Sequence, residues 1–227
     1  MSEEKVDVAF VVAMGCEAEC IISNLQGKDE CVLWGRRVVR GMWRGQRAAV
    51  VVSGIGKDNA AAATQLALSE FRPGEIINFG VAGGLRATMK VGEIYEVRAT
   101  IEYDFDLAEL NQTAVGVLNE RKEREIGIGD AGEVLGTGDR ISNEEGEAAA
   151  LLEMGIGLRD MEGAAIAHVC ETAGARMRCV KCVSDVHGIG EAMTGQYQAN
   201  LERCLGILTR YWGYYIGLAR RFWWVRA

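Results

Sequence analysis

The stretch EIINFGVAGG, residues 75–84, joins a run of apolar residues to a loop of glycine and alanine. Its first half has the composition of a buried strand, and the glycines of its second half allow a backbone to approach a ligand closely. Two further apolar runs end similarly, at Ser53-Gly54-Ile55-Gly56 and at Gly136-Thr137-Gly138-Asp139. Ligands of an α/β sheet bind at the carboxyl ends of its strands, so we expect one crevice lined by these loops. Each loop taken alone is equally consistent with a tight turn.

Strand-like and helix-like segments alternate along the chain. The predicted strands are 6–13, 47–54, 75–84, 91–107, 133–139 and 177–186, with a hairpin over 36–46 that turns at Arg44-Gly45. The predicted helices lie near 17–25, over 59–71 and 161–174, and at about 196–219. This alternation is typical of an α/β protein with a central sheet covered on both faces. Because no linker or repeat interrupts it, residues 1–227 are predicted to form a single domain, with loops near 108–130.

Composition excludes several classes of protein. The 227 residues are 49% hydrophobic and 25% charged, with a formal net charge of -7. A negative protein has no general attraction to phosphate backbones, so nucleic acid is not an expected partner. Seven cysteines in apolar surroundings are expected to be free thiols in a reducing cytoplasm. The acidic N-terminus is unlike a signal peptide, and no apolar run is long enough to cross a bilayer.

The sequence contains only partial matches to two nucleotide-binding motifs. Gly54-Ile55-Gly56 follows a strand and precedes a helix, as the dinucleotide fingerprint requires, but Asn59 stands at the third glycine position. No acidic residue ends the next strand. A phosphate-binding P-loop needs Ser or Thr after Lys57, where this chain has Asp58.

Metal binding and serine-triad chemistry are not predicted either. Cys179 and Cys182 form a C-x-x-C motif, but in a strand that spacing places the two side chains on opposite faces. The two histidines, His168 and His187, are not in a metal-ligand spacing, and no G-x-S-x-G motif occurs.

Three carboxylates stand at the ends of apolar segments. Glu17 follows the first strand, Glu162 opens an almost uncharged helix, and Asp185 ends the strand 177–184. Taken singly, each has an ordinary interpretation. Glu17 fits a solvated helix start, Glu162 fits a first-turn acid facing the helix dipole, and Asp185 fits a helix or turn cap. Together, three acids beside glycine loops are typical of a site that moves protons.

The order of these motifs resembles that of the nucleoside phosphorylase superfamily, and within it the methylthioadenosine/S-adenosylhomocysteine nucleosidases. The resemblance covers most of residues 6–205. It implies a three-layer α/β/α sandwich around a central twisted mixed sheet, with no cofactor and no metal. The segments that carry the resemblance are Ala13-Met14 with Glu17, SGIGKDNAAAATQLAL (53–68), INFGVAGGLRATMKVGEIYEV (77–97), GTGDRIS (136–142), RDMEGAAIAHVC (159–170) and CVSDV (182–186).

The resemblance also implies a role for each acid. Glu17 would activate the attacking water, Asp185 would protonate the purine at N7, and Glu162 would accept hydrogen bonds from the ribose 2′ and 3′ hydroxyls. The substrate-binding residues it implies are Met161, Glu162, Ser184, Val81, Ala82, Gly83, Ile141, Ser142 and Phe105.

The implied reaction is hydrolysis of the N-glycosidic bond of an adenine nucleoside such as 5′-methylthioadenosine or S-adenosylhomocysteine. Its transition state carries positive charge on the sugar while the purine departs as an anion. A general acid beside the purine neutralises the leaving group, and a general base beside the water generates the nucleophile. A carboxyl at position 185 also accepts a hydrogen bond from an exocyclic amine, which favours adenine over 6-oxopurines. To donate a proton near neutral pH, Asp185 needs a raised pKa.

Three other functions stay open. A phosphorylase of the same superfamily typically binds phosphate with arginines in the first glycine loop, whereas residues 14–18 contain no arginine and include Glu17. A futalosine-type nucleoside hydrolase and a non-catalytic nucleoside-binding protein are the others.

The sequence also departs from the family pattern. Val81 stands where Ser or Thr is usual. Arg140-Ile141-Ser142 offers no aromatic to stack on the base, in a loop that is one residue shorter than usual. The region 107–133 is also shorter than usual.

The resemblance implies a homodimer in which the neighbouring subunit closes the pocket over the 5′ substituent. Phe105 and Leu107 are candidates for that contact, although an ordinary strand end with alternating faces fits them equally well. At the C-terminus, Leu201, Leu205, Leu208 and Trp212 have the spacing of an amphipathic helix. The aromatic and basic residues 219–227 form an extension, for which we expect packing against the subunit or its partner, with weak membrane-surface contact as the alternative.

Overall fold

The computed structural model describes residues 5–106, 125–142, 145–190 and 192–222, including all their side chains except those of 145 and 214–222. Leu107 and the last five residues of the C-terminal extension lie outside these ranges. The strands are β1 (Val8–Val12), β2 (Gln26–Leu33), β3 (Arg36–Trp43), β4 (Gln46–Val52), β5 (Glu75–Gly84), β6 (Ile94–Glu102), β7 (Ile126–Gly127), β8 (Glu133–Thr137), β9 (Leu158–Asp160) and β10 (Met177–Val186). The helices are α1 (Gly15–Ile22), α2 (Lys57–Phe71), α3 (Glu145–Glu153), α4 (Gly163–Ala173) and α5 (Met193–Phe222).

These strands form one mixed sheet. Its centre is four parallel strands in the order β4-β1-β5-β10, and β3 and β2 extend it by antiparallel pairing beyond β4. On the other side β10 pairs with β6, β6 with β8, and β8 with β9, which returns to the end of β5. The sheet therefore closes on itself beside β5, which brings the carboxyl end of β5 between β9 and β10.

Helices cover both faces of the sheet. On one face α2 and α4 bury small side chains such as Ala63 and Ala167. On the other face α1 and α5 pack against β1, and Trp212 of α5 lies edge-on to the Phe10 ring at 6.0 Å between centroids. Leu208 and Trp212 are buried, as their helical spacing predicts. The predicted α/β/α architecture is confirmed.

The two cysteines of the C-x-x-C motif lie on opposite faces of β10, as predicted. Cys179 belongs to the core under α2 and α4, and Cys182 belongs to the core under α1 and α5. All seven cysteines are free.

The structure contains elements that the sequence pattern did not predict. Strand β2 exposes most of its residues and turns into β3 at Trp34-Gly35, where both residues have positive φ. Helix α3 packs on a third cluster through Ala148 and Leu151. Helix α5 extends through Phe222, so the extension predicted from residue 219 begins as helical backbone. Within the described ranges, no helix combines the length and apolar character needed to cross a bilayer.

Candidate active site

A cavity of about 260 Å³ opens where β1, β5 and β10 end and where α5 begins. Most of the predicted site residues lie on its wall. Its lining comprises Ala13, Met14, Glu17, Ile55, Val81, Ala82, Gly83, Arg140, Ile141, Arg159, Asp160, Met161, Glu162, Ser184, Asp185, Met193, Thr194 and Tyr197.

Glu17 projects from the first turn of α1 into the bottom of this cavity. It is only 3% exposed, so the interpretation as a solvated helix start is wrong. Its carboxylate accepts the backbone N–H of Met14 at 3.1 Å and that of Val81 at 2.9 Å. The close approach of the Glu17 side chain to β5 requires glycine at position 80, because a Cβ there would overlap Oε1 of Glu17.

Burial dominates the electrostatics of Glu17. Desolvation raises the pKa of this carboxyl above its ordinary value, and the positive charge of Lys181 and the two N–H donors only partly oppose it. A buried carboxylate with a raised pKa is suited to accept a proton from water near neutral pH.

Beneath Glu17 lies a buried ion pair that the sequence analysis did not assign. Nζ of Lys181 lies 2.9 Å from Oδ2 of Asp160, and both side chains are 2% exposed. Asp160 also accepts hydrogen bonds from the Thr137 hydroxyl at 2.6 Å and from the Gly163 N–H at 2.9 Å. The pair therefore holds one ammonium in a fixed position, where its charge acts on both Glu17 and Glu162. A lysine inside the apolar strand MRCVKCVSDV was the available signal, since a buried lysine needs a partner.

Glu162 immediately precedes α4 and turns away from it. Its side chain caps no N–H of that helix and instead accepts the backbone N–H of Gly56 at 2.9 Å. The first-turn interpretation of this acid is therefore replaced by a contact across the cavity. Desolvation, reinforced by the charge of Asp160, raises the pKa of Glu162 to about 7.

A one-residue irregularity in β10 sets the direction of Asp185. Val183 pairs with Ala82 and Asp185 pairs with Gly83, so Ser184 is the extra residue of a bulge. The Ser184 hydroxyl donates to Oδ1 of Asp185 at 2.7 Å, and neither residue is more than 7% exposed. Burial raises the pKa of Asp185, while the Ser184 hydroxyl and the charge of Arg159 act in the opposite direction.

The loop after β8 closes the side of the cavity. Asp139 accepts the Lys57 backbone N–H at 2.9 Å and donates its own N–H to Asp104 at 2.8 Å. Lys57 also joins Asp104 through its ammonium, at 2.6 Å. These contacts fix the loop and leave the Ile141 side chain 68% exposed at the cavity mouth.

Two predicted residues do not line the cavity. Ser142 lies behind the wall, where its carbonyl oxygen accepts from Nη2 of Arg159 at 2.6 Å. Phe105 is half-buried after the end of β6. The wall instead includes Met193, Thr194 and Tyr197 from the start of α5, for which the sequence carried no distinguishing signal.

The cavity has the chemistry of a proton-transfer site with apolar walls. In the part of the chain that the structure describes, no group of three or more His, Cys, Asp or Glu side chains is arranged to hold a metal ion. The acids face the cavity from three different elements, and the remaining wall is largely Met, Ile, Val and Ala.

Comparison with known proteins gives a consistent family. Residues 7–212 match the sequence profile of the family described as the Phosphorylase superfamily. A 5′-methylthioadenosine/S-adenosylhomocysteine nucleosidase of Geobacillus kaustophilus (strain HTA426) is 28% identical over 203 residues, which are 79% of this chain and 84% of that protein.

Solved structures share the fold. The Neisseria meningitidis 5′-methylthioadenosine/S-adenosylhomocysteine nucleosidase in complex with methylthio-immucillin-A aligns with a TM-score of 0.81 and 24% identity, over 89% of this chain and 95% of that chain. The futalosine hydrolase of Helicobacter pylori strain 26695 aligns with a TM-score of 0.85 and 20% identity, over 95% and 98% of the two chains.

Proposed function

Because the chain belongs to the phosphorylase superfamily, we propose that it is a hydrolase that cleaves the N-glycosidic bond of an adenine nucleoside, with 5′-methylthioadenosine or S-adenosylhomocysteine as substrate. The products are free adenine and the thioribose. The observation that carries this proposal is the placement of Glu17, Glu162 and Asp185 on one cavity wall, each held by hydrogen bonds from its surroundings.

Glu17 serves the sugar side of the reaction. It removes a proton from a water molecule, whose oxygen bonds to the ribose C1′ as the C1′–N9 bond breaks. The electron pair of that bond leaves with the base. Because Met14 and Val81 fix the carboxylate by backbone N–H groups, the position of the water is determined by the fold and not by a flexible side chain.

Asp185 serves the base side. Its proton passes to N7 of the purine, so the base leaves neutral and not as an anion. The Ser184 hydroxyl occupies Oδ1, which leaves Oδ2 for the proton and the base. Burial favours the protonated form of the acid that this step needs.

Glu162, with Met161 beside it, serves the ribose hydroxyls. A carboxylate that accepts two hydroxyl donors binds best when ionised, and the pKa of Glu162 of about 7 places that ionisation in the neutral range. Val81, Ala82 and Gly83 line the same wall and complete the proposed sugar pocket.

Water is favoured over phosphate as the nucleophile. Glu17 and Glu162 face the sugar side, and the ammonium of Lys181, which acts on both of them, is already paired with Asp160. A phosphate dianion at this position would meet net repulsion, whereas a neutral water does not.

The test is release of adenine from 5′-methylthioadenosine by the purified protein, with and without inorganic phosphate. We expect the same rate in both and a free thioribose as the second product. A requirement for phosphate, with a sugar 1-phosphate as product, would make the protein a phosphorylase. Saturable binding of the nucleoside without turnover would make it a binding protein.

The proposal includes a cytoplasmic homodimer. Seven free cysteines suit a reducing compartment. Phe105, half-buried after β6, is the described candidate for contact with the partner subunit, and Leu107 lies outside the described residues.

A further inference from the structure

We propose that Lys57 is a positioning residue for Glu162: its ammonium anchors the start of α2, and this anchor holds the Gly56 N–H on the Glu162 carboxylate. The inference rests on the proposed function, in which Glu162 accepts the ribose hydroxyls. It adds a residue that lies outside the described lining of the cavity and acts through one that belongs to it.

The ammonium of Lys57 lies between two carboxylates at the end of β6. Nζ is 2.9 Å from Oε1 of Glu102 and 2.6 Å from Oδ1 of Asp104. The three side chains are only 11% to 18% exposed, so the contact is largely withdrawn from water. Breaking such a contact by removing one partner is costly. The lysine of the partial P-loop match therefore binds carboxylates of its own chain and not a phosphate.

Asp104 closes a ring of three hydrogen bonds at the start of α2. One of its oxygens accepts the Lys57 ammonium, and the other accepts the Asp139 N–H at 2.8 Å. Asp139 in turn accepts the backbone N–H of Lys57 at 2.9 Å. The ring holds Lys57 by its backbone and by its side chain, and so fixes the peptide group that joins this residue to Gly56.

Gly56 is the residue at which this fixed orientation matters. It caps α2 with a φ of 101°, in the region that favours glycine, and its N–H donates to Oε1 of Glu162 at 2.9 Å. Because glycine has no Cβ to restrict the backbone, the direction of this N–H depends on how the neighbouring residues are held. The ring at Lys57 holds the helical side of Gly56.

The Gly56 N–H has two effects on Glu162. It occupies Oε1 and leaves Oε2 for the ribose hydroxyls. It also favours the ionised carboxylate, against burial and the charge of Asp160, which raise the pKa of Glu162. Glu17 raises this pKa as well, and Lys181 lowers it. Loss of the N–H should therefore raise the pKa further and leave less of the ionised form that binds the ribose.

The experiment measures kcat/KM for adenine release from 5′-methylthioadenosine across the neutral pH range. The proteins compared are the intact protein, Lys57→Met, Lys57→Arg and Asp104→Asn, and each substitution is repeated in a Glu162→Gln background. Arg178→Met is the matched control, because Arg178 forms an ion pair with Glu75 at 2.8 Å and lies outside the described lining of the cavity.

Lys57→Met should lower kcat/KM by about 10- to 100-fold, the effect of one hydrogen bond to a charged group, and should move the acid limb of the pH profile to higher pH. Lys57→Arg keeps the charge and should retain most of the activity. Asp104→Asn should act like Lys57→Met but more weakly. It leaves Lys57 paired with Glu102, so it supplies the same test if Lys57→Met does not fold.

The Glu162→Gln background shows whether these effects pass through Glu162. A neutral amide gains less from the Gly56 N–H and does not titrate, so each substitution should cost at most about threefold there and should not move the acid limb. Arg178→Met should leave the pH profile unchanged in both backgrounds.

The two charge-changing variants separate positioning from direct electrostatics. Through space, removing the positive charge of Lys57 raises the pKa of a nearby carboxyl, whereas removing the negative charge of Asp104 lowers it. Loss of the shared ring raises the pKa of Glu162 in both variants. A shift of the acid limb to higher pH in both therefore reports the ring.

Three results would overturn the inference. Opposite shifts in Lys57→Met and Asp104→Asn, or no shift, would leave no positioning role for the ring. Equal losses with and without Glu162, or the same shift in Arg178→Met, would reduce Lys57 to general stabilisation of the fold. In both of these cases the intact protein still releases adenine, and the proposed function stands. No adenine release by the intact protein would refute the proposed function and this inference together.

Discussion

Replacing Glu162 by glutamine should stabilise the protein and impair the enzyme. Burial raises the pKa of Glu162 from its ordinary 4.5 to about 7, so the folded state holds this proton more tightly than the unfolded chain does. The stability of the natural protein therefore falls as pH rises from about 4.5 to about 7, and the loss is complete above that range. At about 1.4 kcal/mol per pKa unit, keeping Glu162 ionised costs about 3 kcal/mol at pH 8 and under about 1 kcal/mol at pH 5.

Glutamine does not titrate, and its amide oxygen can still accept the Gly56 N–H. The free energy of unfolding of Glu162→Gln should exceed that of the natural protein by about 3 kcal/mol at pH 8, with most of the advantage lost at pH 5. Its kcat/KM should fall by about 100-fold or more, because two ribose hydroxyls lose a charged acceptor.

Urea unfolding at both pH values measures the first effect, and adenine release measures the second. Glu202→Gln, at an exposed position of α5, is the control and should change neither. A stability difference that is the same at pH 5 and pH 8 would contradict the electrostatic argument. Full activity of Glu162→Gln would show that this carboxylate does not hold the ribose.

Four further outcomes follow from the site and the chain ends. Asp185→Asn should lower kcat by about 10²- to 10⁴-fold without lowering the unfolding midpoint, and near-normal adenine release would exclude this residue as the acid. Gly80→Ala should displace Glu17 and lower turnover, as we also expect of Glu17→Gln. Gly127→Ala is the control, because an added Cβ meets nothing there, and it should keep normal turnover. Equal activity of the two alanine variants would contradict the packing argument. Light scattering should give a dimer mass at assay concentration, and a monomer mass would exclude the dimer. Deleting residues 219–227 should lower the melting temperature or weaken the dimer; loss of binding to anionic vesicles alone would favour the membrane alternative, and no change would exclude both.

The sequence predicted the centre of the fold better than its edges. Strands β1, β4 and β5 are almost continuous apolar runs, because both of their faces are covered by helices. Strand β2 has no such pattern, because it lies at the sheet edge with most of its residues exposed. Its position is stabilised by backbone pairing with β3 and not by burial of its side chains. Short elements such as β9 have too few residues for any periodicity to be read.

The site was predictable where a residue stood out in its own segment. Glu17, Glu162 and Asp185 each interrupt apolar sequence, so their presence demanded a reason. Arg159 and Asp160 do not stand out in the same way, because their position depends on the pairing of a three-residue strand with the end of β5. That pairing is a long-range contact, and local sequence carries no information about which residue faces which across it.

The distribution of charge in the cavity supports both halves of the proposed reaction. On the proposed sugar side Glu17, Glu162 and the Asp160–Lys181 pair act on one another, so among these described groups three carboxylates face one ammonium. For the proposed reaction, we expect this arrangement to stabilise the positive charge that develops on the ribose in the transition state more than it stabilises the neutral substrate. On the base side burial raises the pKa of Asp185, and the positive charge of Arg159 acts on this carboxyl in the opposite direction. Negative charge on the sugar side and positive charge on the base side therefore favour the movement of electrons from the sugar towards the base when the C1′–N9 bond breaks. Water suits this field as the nucleophile, since it enters uncharged and gives up its proton to the negative side.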